Sequence, residues 1–325
     1  MGRLLPAFFG NFILGVFEAW MIRRTSTTVG KSPALMIAAN FASMIVGIGL
    51  VVVAGPLQNA AARDPLRLSL AIIVGLWLVA FVLTVFVEWW FVARTAGLTM
   101  SKQSLLLSFR VQSVSYICLV PIVMLIGSVT AVTGLSSASA AEIRTVPGWV
   151  YYHSLDKRTV MRTRLSGDGT ESVIALPSDS VSSTGRVTIE PTSDNDHARL
   201  LFRDNLEHIE LDKNIGTPRQ CAPVERRGAD KLAWIGNDTF GIGSTRSFVK
   251  PPSVQAGFWA REGITIGGHR FALETPYLWF AWRSPIVLPD GKVVAQFGEA
   301  IVLIDPKTRR CAKLAQGNCG DVLLD

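Results

Sequence analysis

"FEAWMIRRT", Phe17 to Thr25, closes the first apolar run of the chain, and "VEWWFVART", Val87 to Thr95, closes the third with Glu-x-Trp-x-x-x-Arg-Thr kept in register. Glu18, Trp20, Arg24 and Thr25 return as Glu88, Trp90, Arg94 and Thr95 at an offset of 70. Lys31 returns as Lys102 at 71, and Asn40 with Ser43 as Gln112 with Ser115 at 72. A drift of two residues across a loop is the mark of a diverged duplication, so the pattern is read as an internal repeat.

The repeat spans four apolar runs, Leu4–Ile22, Ala34–Gly55, Leu68–Val92 and Val111–Gly134. Each is near the roughly 20 residues that cross a hydrocarbon core of about 30 Å. The expected fold class is a membrane α unit followed by a soluble β unit. Residues 1–134 form four transmembrane helices in two tandem hairpins of like orientation, each unit having two spans. Residues 135–145 are a linker, and 146–325 an all-β domain.

That β expectation rests on a rhythm of short alternating runs and turn signals. "WVYYHS", "TVMRTRL" and "ESVIAL" make one three-stranded meander, "ARLLF", "LEHIEL" and "RQCAPV" a second, and "KVVAQF", "AIVLID" and "RCAKLA" a third. A less regular unit covers Lys231 to Leu273. About four such units suggest a β-propeller-like arrangement, with a β-sandwich as the alternative.

Charge decides both partner class and orientation. The net charge of +7 is concentrated in the first 140 residues, with nine basic against three acidic side chains, while the remainder holds 23 against 22. A nucleic-acid surface on the β domain is therefore not expected. Arg23, Arg24 and Lys31 in the first loop and Arg94, Lys102 and Arg110 around the third outweigh Arg3, Arg63, Arg67 and Arg144 on the other side. The positive-inside bias puts both termini outside, in a bacterial-type inner membrane with the β domain extracytoplasmic. Ala138 and Ala140 in "SSASAAE" also fit the Ala-x-Ala form that signal peptidases accept.

Helical geometry separates the roles within the repeated motif. At about 100° per residue, Trp20 stands about 200° and Arg24 about 240° from Glu18, so the acid and the Trp face opposite ways. Trp20, Trp90, Arg24 and Arg94 read as interface anchors, and Glu18 and Glu88 as inward carboxyls. Asn11 shares the face of Glu18 and Thr84 that of Glu88, while Asn40 and Ser43 lie at matching depth on the second run. Glu18 is expected to bond Asn40 and Ser43, and Glu88 to bond Gln112 and Ser115. The alternative role for these eight residues is an intramembrane proton, cation or headgroup site.

The β domain shows no Gly-x-Ser-x-Gly elbow, Gly-rich phosphate loop, Cys-x-x-Cys or His-x-x-x-His pair, so no catalytic residue, metal site or cofactor is expected. In an oxidising compartment Cys311 and Cys319 are the nearest disulfide pair, with Cys221 the rival partner. The functional expectation is a non-enzymatic membrane protein whose β domain binds or senses a protein partner or ligand. Its helices contact lipid and are suited to a homo-oligomer. A transporter or channel component using Glu18 and Glu88 is the second reading, and an envelope enzyme the third.

Overall fold

The computed structural model describes the chain except for residues 1–3, 26–32, 127–133, 157, 177–185, 193–195, 204–207, 218–219, 222–245, 249–253, 257–263, 267–268, 272, 275–278 and 281. It divides into two units, Met1–Gln58 with Ala71–Gly127, and Asn59–Leu70 with Ser128–Asp325.

The first unit is helical: α1 (Leu4–Thr25), α2 (Ala34–Val53), most of α4 (Pro65–Ala96) and α5 (Lys102–Ile126). Two of these, α2 and α4, are long and apolar enough to cross a membrane. Between them lies α3 (Gly55–Arg63), a short helix outside the four expected runs. Helix α5 starts nine residues before the expected apolar run. Its first turns carry Ser104 and Ser108, which are buried and therefore do not stand out as apolar sequence. Ala19, Ile22, Met36, Ala39, Val92, Ala96 and Val111, drawn from all four long helices, pack into one core. Val16, Ile45, Val52, Leu78, Phe86 and Ile117 point outward and are exposed.

Helices α1 and α2 approach closely because Gly15 lies against α2. A methyl group on Gly15 would stand 2.6 Å from the Cα of Ile37. Small residues at a helix crossing permit this backbone approach.

The second unit is built of several antiparallel sheets. One contains β1 (Ser136–Ser137), β8 (Arg246–Ser247), β14 (Trp282–Val287), β15 (Val293–Phe297), β16 (Ala300–Asp305) and β17 (Arg310–Gln316), in the order β1-β17-β16-β15-β14-β8, with its two end strands parallel to their neighbours. A second has β2 (Gly148–His153), β3 (Thr159–Arg164), β4 (Glu171–Ala175) and the last strand, β18 (Asn318–Leu324), in the order β18-β2-β3-β4. A third is β5 (Arg186–Pro191), β6 (Ala198–Arg203) and β7 (His208–Gly216). Smaller pieces are β9 (Val254–Ala256), β10 (Ile264–Ile266) and β11 (His269–Phe271), and the pair β12 (Leu273–Glu274) and β13 (Trp279–Phe280).

All three regular meanders differ from the expected grouping, the first by the addition of β18. "RVTIEP" (β5) precedes "ARLLF" in its sheet, and of "RQCAPV" only Gln220 and Cys221 lie among the described residues, Cys221 forming a bridge to Leu323. The third, "KVVAQF" to "RCAKLA", is lengthened on both sides. Residues at alternate positions of β15 and β16 are buried on both faces, which fits a central position in the largest sheet.

Apolar cores lie between these sheets. Val150, Tyr152, Ile286, Val294, Ile301, Leu303 and Val322 form one, and Tyr151, Val187, Ile189, Leu200, Phe202 and Leu323 another. Asp321 is buried where β18 meets β5, and its carboxylate accepts the backbone N–H of Ile189 at 2.7 Å and that of Val322 at 2.9 Å. A buried carboxylate satisfied by main-chain donors ties two sheets together.

Segment 59–70 belongs to this second unit. The N–H of Glu299 donates to the carbonyl of Ala62 at 2.8 Å, and Lys313 Nζ donates to the carbonyl of Arg63 at 2.8 Å. Gly298 is at φ +61° beneath this contact, and a methyl group there would lie 2.8 Å from the carbonyl oxygen of Ala62.

The expected disulfide is not formed. Cys311 is a buried thiol on β17, opposite Ile304 and beside Ser137, whereas the backbone of Cys319 pairs with Tyr152 in a different sheet. The rival partner, Cys221, keeps its thiol, which donates to the carbonyl of Thr217 at 3.6 Å. Sequence proximity suggested the pair, but the strand crossover between β17 and β18 sends the two residues to separate sheets.

Candidate polar site of the helical unit

Glu18 on α1 and Glu88 on α4 are both buried, at 1% and 0% exposure, within the helical unit. Asn40 Nδ2 on α2 donates to Glu18 Oε2 at 2.7 Å, and Ser115 Oγ on α5 donates to Glu18 Oε1 at 2.6 Å. Gln112 Nε2, also on α5, donates to Glu88 Oε2 at 2.5 Å and reaches Glu18 Oε1 at 3.4 Å. One amide nitrogen thus joins the two carboxyls, whose nearest oxygens are no more than about 6 Å apart.

All four long helices therefore contribute to one cluster. The expected pairs Glu18–Asn40 and Glu88–Gln112 lie within their own hairpins. The serines do not follow that pattern. Ser115 crosses to Glu18, and Ser43 lies near Glu88 with its hydroxyl donating to the carbonyl of Asn40 at 3.0 Å. Glu88 Oε1 is left without a partner at hydrogen-bonding geometry.

Asn11 and Thr84 stand apart from this cluster. Asn11 Nδ2 donates to Met44 Sδ at 3.3 Å, and Thr84 Oγ1 pairs with the Tyr116 hydroxyl at 3.1 Å. Tyr116 is a neighbour that the sequence reading missed. So is the stripe Ser104, Ser108, Gln112, Ser115 on α5, in which Ser104 accepts from Trp89 Nε1 at 2.8 Å and Ser108 donates to the carbonyl of Val85 at 3.0 Å. Its spacing of four, four and three residues marks one face of a helix and was available in the sequence.

The four anchors turn the other way. Trp20 and Trp90 are 49% and 44% exposed, and each carries the guanidinium four residues later, with Arg24 at 4.4 Å and Arg94 at 5.5 Å from the ring centre. Cation–π stacking on the outer face accounts for the Trp-x-x-x-Arg part of the motif and keeps both cations away from the acids.

Electrostatics then restricts what the cluster can hold. Burying one ionised carboxyl away from water costs on the order of several kcal/mol. A second within about 6 Å adds repulsion of about 3 kcal/mol at an effective dielectric of 20. Donors from Asn40, Gln112 and Ser115 offset one charge at Glu18. They do not offset two, so the chemistry open to the pair is to hold one positive charge, a proton or a small cation, alongside one carboxylate.

The β unit offers less. A cleft of about 410 Å³ is lined by Asp64, Arg67, Ser139, Ser166, Asp168 and Lys313, with acids and bases in balance. His153 is buried against Phe202, with ring centres 5.4 Å apart. Among the described residues no group of three or more His, Cys, Asp or Glu side chains is placed to hold a metal ion. No protein-family model, curated protein or solved structure matches this chain.

Proposed function

We propose that the chain is an integral membrane protein in which α1, α2, α4 and α5 all span the bilayer as two tandem helical hairpins, with both termini and the β unit extracytoplasmic. Its β domain binds a protein partner or ligand without catalysis, and the helical unit anchors it and responds through the Glu18–Glu88 cluster. The observation that carries this reading is the composite polar site. A bundle that served only to anchor has no need of two joined carboxyls bonded by residues from every long helix.

Two further features support it. Segment 59–70 shares a unit with residues 128–325, which agrees with α4 and α5 forming a there-and-back pair of spans. The last strand, β18, pairs with the first long strand, β2. Joining chain ends in one sheet is how a ring of sheets would close, and this favours the propeller-like arrangement over a sandwich.

Hydrogen exchange on the full-length protein in lipid nanodiscs tests the reading. Replacing both acids with Gln is expected to alter protection in segment 59–70 and in β1 as well as in the helices. A change confined to the helices would overturn a responsive role. The merging of Glu18 and Glu88 into one site also favours a second reading, a transport component, for which the same double variant in liposomes should lose proton or cation flux.

A further inference from the structure

The two acids of the cluster are not equivalent. Glu18 accepts from three donors, Asn40, Gln112 and Ser115, one or more on each of its oxygens. Glu88 accepts from Gln112 through Oε2 alone, and its Oε1 stands in the buried interior with no hydrogen-bond partner. Three donors stabilise a carboxylate, whereas an oxygen without donors gains nothing from negative charge and has a lone pair open to a proton.

The groups facing the pair are few. Helix α2 presents Asn40 and Ser43, neither of which titrates. Helix α5 presents Gln112, Ser115 and Tyr116, the last with its hydroxyl paired to Thr84. Helices α1 and α4 contribute the two acids themselves, and Arg24 and Arg94 of the same helices are stacked outward on Trp20 and Trp90. Among these described neighbours no basic side chain balances a second negative charge.

We propose that Glu88 Oε1 is a proton-binding position, with Glu18 as its fixed counter-charge. Binding forms an O–H bond on Oε1, and release returns a carboxylate that faces Glu18 through the Gln112 amide. A bound metal ion is the less suitable occupant. The Asn40 and Gln112 groups turned toward the acids are N–H donors, which repel a cation and favour the oxygens of a carboxylate. Ser43, whose hydroxyl is held on the carbonyl of Asn40 at 3.0 Å, lies near Glu88.

This inference rests on the membrane reading above, and the two fail separately. Protein that is recovered from membranes without detergent fails the membrane reading, whatever its spectrum. Infrared spectroscopy of the full-length protein in nanodiscs at neutral pH should show a protonated-carboxyl band that shifts down in deuterated water. The band should be lost in Glu88→Gln. Should that variant fail to fold, two milder ones carry the test. Ser43→Ala should move the acid band, while Ser115→Ala should move only the carboxylate band of Glu18. An absent acid band in the unaltered protein, an acid band that persists in folded Glu88→Gln, or one moved by Ser115→Ala and not by Ser43→Ala would overturn the assignment.

Discussion

Gly15 shows how closely the helical unit is fitted around its acids. It lies one turn before Glu18, and the Cα and N of Ile37 occupy the space a side chain would need, at 2.6 and 2.8 Å. Gly15→Ala must push α1 away from α2 and loosen the bond from Asn40 to Glu18. A backbone clash of this kind costs about 1–3 kcal/mol, more than the ~1 kcal/mol that alanine gains over glycine in a helix. The expected outcome is a lower melting temperature by circular dichroism in detergent. Gly47→Ala, where nothing lies within 4 Å, should leave it unchanged or raise it. A second residue-level expectation concerns Cys311. Burial pushes its thiol up to about 12, so the reactive thiolate is only about one part in ten thousand at pH 8. Native protein should resist maleimide at this position, and protein unfolded in denaturant should label fully, as read by peptide mass.

Among the elements, β18 has the most to hold. It carries Val322 and Leu323 into two separate cores, pairs along the whole of β2, and places Asp321 on the main chain of β5. Asp321→Ala leaves the N–H of Ile189 buried without its partner, a loss of about 1–3 kcal/mol. Full-length protein carrying it should be cut by protease in the β unit at lower temperature than the unaltered chain. Removing residues 318–325 should go further and make β2 and β3 protease-sensitive at all temperatures.

These elements also show why legibility in the sequence was uneven. The strands β2 to β4 and β15 to β17 were readable because alternation and turn residues are local signals. The passage of β18 into another sheet was not, since it depends on pairing across about 170 residues, and the predicted Cys311–Cys319 bridge failed with it. For the site, depth and face placed Glu18 with Asn40 and Glu88 with Gln112. The joining of the two pairs, with Ser115 crossing to Glu18, came from packing between hairpins, which periodicity within one helix does not encode.

For the molecule as a whole, the decisive question is which parts of the chain share a side of the membrane. Arg63 is one of the cations that weigh against the proposed orientation, yet Glu299 stands 3.9 Å from it, and Lys313 is bonded to its carbonyl. Six loop cations, Arg23, Arg24, Lys31, Arg94, Lys102 and Arg110, still outnumber the four on the other side, Arg3, Arg63, Arg67 and Arg144. Because Glu299 and Ala62 are bonded backbone to backbone, a reporter inserted at Asn59 and one fused after Thr145 must report the same side. The expected result is alkaline phosphatase activity from both fusions and none from insertions after Thr28 or Gly97. Activity after Thr145 but not at Asn59 would leave α4 and α5 unable to form a there-and-back pair, and the carboxyl cluster would lose its place within a four-span bundle.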